Sequence, residues 1–114
     1  MIEQGQGDIL IVDDDPYTLE MLTNILGRKG YSTKGVDRGE KALAIIKENN
    51  PDLLLLDINL PDINGFEICR KAHELYSDRK IPVIFITGDS SRNNIQKSFE
   101  AGGSDYVSKP FVIE

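Results

Sequence analysis

Short apolar runs in this chain each stop on a chemically loaded residue. Ile9-Leu10-Ile11-Val12 runs into Asp13, Asp14 and Asp15, Leu53 to Leu56 into Asp57, and Val83 to Ile86 into Thr87. A fourth run, Tyr106-Val107, leads to Lys109-Pro110. The runs alternate with segments of helical period, the pattern of repeated βα units and a parallel sheet. In open parallel sheets, ligands bind in a crevice beyond the carboxyl ends of the strands. Acids, a hydroxyl and an ammonium at that edge describe a phosphate and metal site.

The connecting segments carry their own punctuation. Asp15 can cap a helix, and Pro16 suits its first position, where the missing N–H has no partner to lose. Leu19, Leu22 and Leu26 then share a face, with Met21 and Ile25 beside it, and Gly30 is a natural stop. A short strand is expected over Tyr31 to Lys34. Asp37 and Glu40 have the spacing of a capping box, with Ala42, Leu43 and Ile46 facing inward after it. Asn49 to Asp52 is a turn, and the four leucines that follow predict a strand buried on both sides. Phe66, Cys69, Ala72 and Tyr76 repeat at helical spacing after the loop Pro61 to Gly65, and Pro82 opens the next strand. Ser90 to Ala101 predicts a helix with Ile95 and Phe99 as its apolar pair, ended by Gly102-Gly103 before a last strand from Asp105 to Ser108. The expectation is five strands and four helices in one α/β domain.

Size and charge exclude several classes. A chain of 114 residues supports a single core. The formal charge of −6 argues against nucleic acid or an anionic membrane as a direct partner. No run approaches the roughly 18 apolar residues of a membrane span. The polar, Gly-rich start is no signal peptide. Cys69 has no second cysteine to pair with, so it reads as a small core residue in a reducing compartment, and a cytoplasmic location is expected.

Asp13 and Asp14 leave the first strand and Asp57 leaves the third. On neighbouring strands these carboxylates converge, and two like charges about 4 Å apart repel by roughly 1 to 4 kcal/mol. Such a cluster binds a cation, raises a pKa or spreads apart. A hard divalent ion is the simplest resolution, since Mg²⁺ combines one or two carboxylates with waters and phosphate oxygens. Asp15 reads instead as a cap. Thr87 alone would be an ordinary β-branched strand residue and Lys109 a surface charge, but beside the acids each can hold a phosphoryl oxygen. His73, among Arg70, Lys71 and Glu74, reads as part of a solvated helix face.

The strings ILIVDDDP, LLLLDINLPDINGFE, VIFITG and YVSKPF, agreeing in order and spacing from about Asp8 to Phe111, resemble the receiver domain of two-component response regulators. The resemblance implies a flavodoxin-like sheet of order 2-1-3-4-5 with helices on both faces. It implies that Asp57 is the phosphoacceptor for a histidine kinase or phosphotransfer protein, or for a small phosphodonor. Asp14 is then a direct Mg²⁺ ligand with Asp57 and the backbone carbonyl of Asn59, and Asp13 supports the ion indirectly; Mn²⁺ is an alternative ion. Lys109 and Thr87 hold the phosphoryl group, Thr87 and Tyr106 form the switch, and Asn59 and Asp89 tune hydrolysis. A cis Lys109–Pro110 bond is also implied. The domain then catalyses its own phosphorylation and dephosphorylation only, and an output domain or target protein reads its state, with dimerisation within the family's habits.

Two departures stand out. Gly103 replaces the family's usual alanine, which is expected to loosen the turn before the last strand. Receivers continue into a fifth helix packed beside the first, whereas only Phe111 to Glu114 follow Pro110. The expectation is a domain truncated near the start of its last helix, or a neighbouring chain filling the gap, because helix 1 alone cannot cover one face of five strands. Two rival functions use the same fold: an interaction module that is never phosphorylated, which typically loses an acid, the hydroxyl or the lysine, and an aspartyl-phosphate phosphohydrolase, which needs an acid where Asn59 stands.

Overall fold

The computed structural model of the chain describes residues 7–88 and 92–109. Asp89, Pro110 with its peptide bond to Lys109, and the segment after it lie outside the described residues. The elements alternate as β1 (Asp8–Val12), α1 (Pro16–Arg28), β2 (Ser32–Val36), α2 (Gly39–Glu48), β3 (Leu53–Asp57), α3 (Gly65–Leu75), β4 (Val83–Thr87), α4 (Arg92–Glu100) and β5 (Asp105–Ser108). All strand pairs are parallel and the order is β2-β1-β3-β4-β5, the flavodoxin-like arrangement that the motifs imply.

The strands present alternate residues to two layers. Leu10, Val12, Leu54, Leu56, Val83 and Phe85 form the main core with Ala42 and Ile46 of α2 and Ile68, Cys69 and Ala72 of α3. Each large side chain sealed there contributes about 1.5–3 kcal/mol relative to exposure. The other face is covered on the β1–β2 side, where Leu19 and Thr23 of α1 lie over Gly35. There Ile9 and Ile11 are buried, but Leu53, Leu55 and Ile84 are half-buried and Val107 is exposed. Among the described residues the four-leucine strand is therefore sealed on one face and half-covered on the other, since α1 packs on β2 and β1.

Local signals explain most element ends. Asp15 caps α1, its carboxylate accepting from Tyr17 N–H at 3.1 Å and Thr18 Oγ1 at 2.9 Å. Gly30 adopts a φ of +98° and closes the helix: its N–H donates to Gly27 O, and Tyr31 N–H donates to Leu26 O. That closure uses Tyr31, so β2 starts at Ser32 and runs to Val36, two residues beyond the expected Lys34.

Four local expectations are corrected. Asp37 does not cap α2: the N-cap is Arg38, which makes no side-chain cap bond, and Asp37 pairs with Lys41 at 3.1 Å. The cap comes from Asp62, in the loop after β3. Phe99 is exposed and Ser98 takes the inward place on α4, its hydroxyl donating to Asn94 O at 2.8 Å. His73 is half-buried, with Nε2 2.8 Å from Ile81 O, because the end of α3 packs on the loop before β4. Gly103 is tight rather than loose: a Cβ there would stand 2.6 Å from Phe85 Cε2 and 2.9 Å from Ser98 O. The bulk of Phe85 takes the room an alanine needs.

Candidate functional site

The strand register delivers the loaded residues to one rim. Val12 pairs with Leu56, so Asp13, the next residue of the first strand's chain, comes level with Asp57 at the end of β3. Asp57 pairs with Ile86, Thr87 follows it, and Thr87 pairs with Ser108, after which comes Lys109. Thr87 N–H and C=O therefore sit at the strand end, and its carbonyl accepts from Lys109 N–H at 2.8 Å.

Asp13 is fully buried. Its Oδ1 accepts from Asp15 N–H at 2.9 Å, and its solvent-sealed Oδ2 lies 2.8 Å from Lys109 Nζ, the charge that compensates it. Asp57 is 5% exposed, with Oδ1 accepting from Asn59 N–H at 3.2 Å and Oδ2 3.7 Å from Lys109 Nζ. Burial, and then the charge of Asp13, push the Asp57 carboxyl up to about 6, against the pull of Lys109. For Lys109, burial alone favours the neutral amine, but the hydrogen bond to Asp13 and the charges of Asp57 and Asp13 outweigh it, so its pKa is raised. Thr87 is buried and Asp14 is exposed at the mouth of the site.

One carboxylate oxygen each from Asp13, Asp14 and Asp57 lie within 4.8 Å of one another. Three acids face one nearby ammonium, so the cluster retains excess negative charge. An all-oxygen donor set with that excess fits a hard divalent cation. Asp13 belongs to this cluster and is also paired with Lys109 through Oδ2. The motifs imply a phosphoryl-binding role for Lys109, whereas its ion pair with Asp13 arises from the register of distant strands and has no local signal in the sequence.

Tyr106 is half-buried on β5 and shares a face with Thr87, since its register partner Phe85 is two residues before Thr87. Its ring meets Phe99 edge-on, with centroids 6.3 Å apart and planes at 87°. Asn59 is exposed beside Asp57. Asp15 serves as a helix cap, as its place before Pro16 predicts.

A 2-1-3-4-5 parallel sheet with an acidic crevice at its carboxyl rim defines a flavodoxin-like α/β domain whose clustered acids could hold a metal ion. The chain belongs to the family described as the response regulator receiver domain, whose profile matches residues 9–114. It is 41% identical over 103 residues to the DNA-binding response regulator MtrA of Mycolicibacterium smegmatis, covering 90% of this chain and 44% of that protein. It is 36% identical to the response regulator MprA of a Mycobacterium species, covering 93% of this chain and 45% of that one. The chain thus spans less than half the length of these relatives. Among solved structures, a BeF3-activated DrrB receiver domain superposes with a TM-score of 0.84 at 37% identity, covering 93% of this chain and 86% of that one. A two-component response regulator from Clostridium difficile gives 0.87 at 31% identity, covering 94% and 86%. This is a receiver domain of a two-component response regulator. No helix among the described residues is long and apolar enough to cross a membrane.

Proposed function

We propose that the domain is a phosphorylation-driven switch in which Asp57 accepts a phosphoryl group from a partner histidine kinase, a phosphotransfer protein or a small phosphodonor. The observation that carries it is Asp57 itself: a buried carboxylate beside a second buried acid and one ammonium, at the rim where the family's motifs converge. Asp14, Asp57 and the Asn59 carbonyl would hold Mg²⁺, with Asp13 supporting it indirectly. A bound divalent ion neutralises both anions, so that a carboxylate can approach a phosphoryl group.

The chain's own residues do the rest. An oxygen of Asp57 attacks phosphorus, the P–N bond of a phosphohistidine donor breaks, and the imidazole leaves with the electron pair. Lys109 Nζ, already 3.7 Å from Asp57 Oδ2, takes one phosphoryl oxygen, and the Thr87 hydroxyl takes another. Commitment of Thr87 re-packs Tyr106, which shares its face of the sheet. A bias of a few kcal/mol is enough, since about 5.5 kcal/mol carries a population from 1:99 to 99:1. Hydrolysis of the acyl phosphate resets the state, tuned by Asn59 and by Asp89, which lies outside the described residues. The reader of that state is a downstream output unit, DNA-binding in the MtrA relatives by name. The acids, the hydroxyl and the lysine, any of which unphosphorylated modules tend to lose, are all present, and Asn59 leaves no second acid for a phosphohydrolase.

The test is incubation with acetyl phosphate and Mg²⁺ followed by intact-mass measurement. One HPO₃ should be added, and the adduct should be lost in Asp57→Asn and in EDTA. An adduct that persists in Asp57→Asn, or none on the parent chain, overturns the assignment.

A further inference from the structure

The loop that joins Asp57 to α3 carries Asn59 and is tied at three places. Gly65 N–H donates to Ile58 O at 2.8 Å, closing its base. Asn64 Oδ1 accepts from Phe66 N–H at 2.8 Å and caps α3. Between these ties Asp62 reaches to the start of α2, one carboxylate oxygen accepting from Gly39 N–H at 2.8 Å and the other from Glu40 N–H at 2.9 Å. A helix start leaves four backbone donors without partners, and α2 has no side-chain cap of its own, so Asp62 satisfies two of them. A carboxylate is favoured at that end by the helix dipole. These amide bonds, Gly39's first, hold the Asp62 carboxyl below its usual range.

The far end of α2 is tied to the same neighbour. The Tyr76 hydroxyl, just past α3, donates to Ile46 O at 2.6 Å. α2 is therefore gripped at both ends by residues flanking α3, and the loop is gripped by α2 in return.

We infer that Asp62 is a positioning residue for the metal site, fixing through the backbone where the Asn59 carbonyl stands relative to Asp57. This rests on the reading of Asp57 and its ion given above. Asp62 stands outside the acid cluster, whose members are Asp13, Asp14 and Asp57. Its effect thus runs through the order of segment 59–64. A loop arranged before the ion arrives spares binding the cost of ordering it.

The experiment is calorimetric titration of Mg²⁺ into the parent chain and three variants, with amide hydrogen exchange of segment 59–64 in EDTA. Asp62→Ala should weaken Mg²⁺ binding by about tenfold, the low end for groups that hold a metal ligand in place, and should speed exchange in the loop. Asp37→Asn removes an exposed acid near the same helix end without touching the loop, and Tyr76→Phe loosens the other end of α2. Both should stay within about twofold of the parent, as exposed charges and remote ties contribute little at the site. Parent-like binding by Asp62→Ala, or equal weakening in all three variants, overturns the inference. If Asp62→Ala fails to fold, Asp62→Asn, which keeps one of two strong acceptors, should weaken binding partially, and unchanged affinity there is equally fatal. A parent chain that binds no Mg²⁺ instead removes the reading of Asp57 on which this rests.

Discussion

Replacing Asp57 by asparagine should make the protein more stable in EDTA at neutral pH, with the gain disappearing in acid. The carboxyl titrates near 3.8 when unfolded and at about 6 in the folded chain, chiefly because it is buried and then because Asp13 is charged beside it. The folded state therefore binds this proton more tightly. The stability conferred by that proton is complete below pH 3.8 and lost as pH rises through about 6. A difference of about two pKa units at about 1.4 kcal/mol each comes to about 3 kcal/mol above pH 6. Total stabilities are about 5–15 kcal/mol, so this is a large share. Asparagine keeps the shape and the acceptor for Asn59 N–H while removing the charge. Urea denaturation of parent and variant at a series of pH values gives the difference directly. It should grow from near zero below pH 4 to about 3 kcal/mol at pH 7. A constant difference across that range, or a less stable variant at pH 7, would refute the electrostatic account.

Gly103→Ala should cost about 1–3 kcal/mol in denaturant unfolding, because the new methyl meets the Phe85 ring, and Phe85→Leu in the same chain should recover part of that loss. Asp15→Ala should cost about 1 kcal/mol by removing the α1 cap, and Asp15→Asn clearly less, as thermal or urea unfolding would register. Saturating Mg²⁺ should raise the parent's unfolding midpoint, by about 2.7 kcal/mol at a hundredfold excess over Kd, and the gain should shrink in Asp14→Asn; equal gains in both would place the ion elsewhere.

The rim was legible because its residues end apolar runs, and strand ends are what local patterns mark best. Asp13, Asp57, Thr87 and Lys109 need no long-range information to be found, only the rule that parallel strands share a carboxyl edge. What stayed hidden depends on partners far along the chain. Asp37 and Glu40 offer the spacing of a cap, but Asp62 takes the Gly39 and Glu40 amides from 23 and 22 residues further along the chain. Gly103 reads as slack in isolation, and only the ring of Phe85 against it shows that nothing larger fits. The uneven covering of the four leucines likewise follows from where α1 lands, over Gly35, and no pattern within β3 records that.

The charges at the rim are not shared evenly, and the imbalance bears on which acid reacts. Asp13 is the more deeply buried, yet both its oxygens are engaged, by Asp15 N–H at 2.9 Å and Lys109 Nζ at 2.8 Å. Asp57 gets a longer amide bond, at 3.2 Å, and only the far side of the same ammonium, at 3.7 Å. Burial and then the Asp13 charge drive the Asp57 carboxyl upward, and Lys109, held closer to Asp13, offsets that rise only in part. An acid whose charge the folded chain compensates poorly gains most from an incoming cation. Burial, the neighbouring Asp13 charge and the longer reach to Lys109 together leave Asp57 the rim acid with most to gain from a cation, which is the basis for proposing it as the phosphoacceptor.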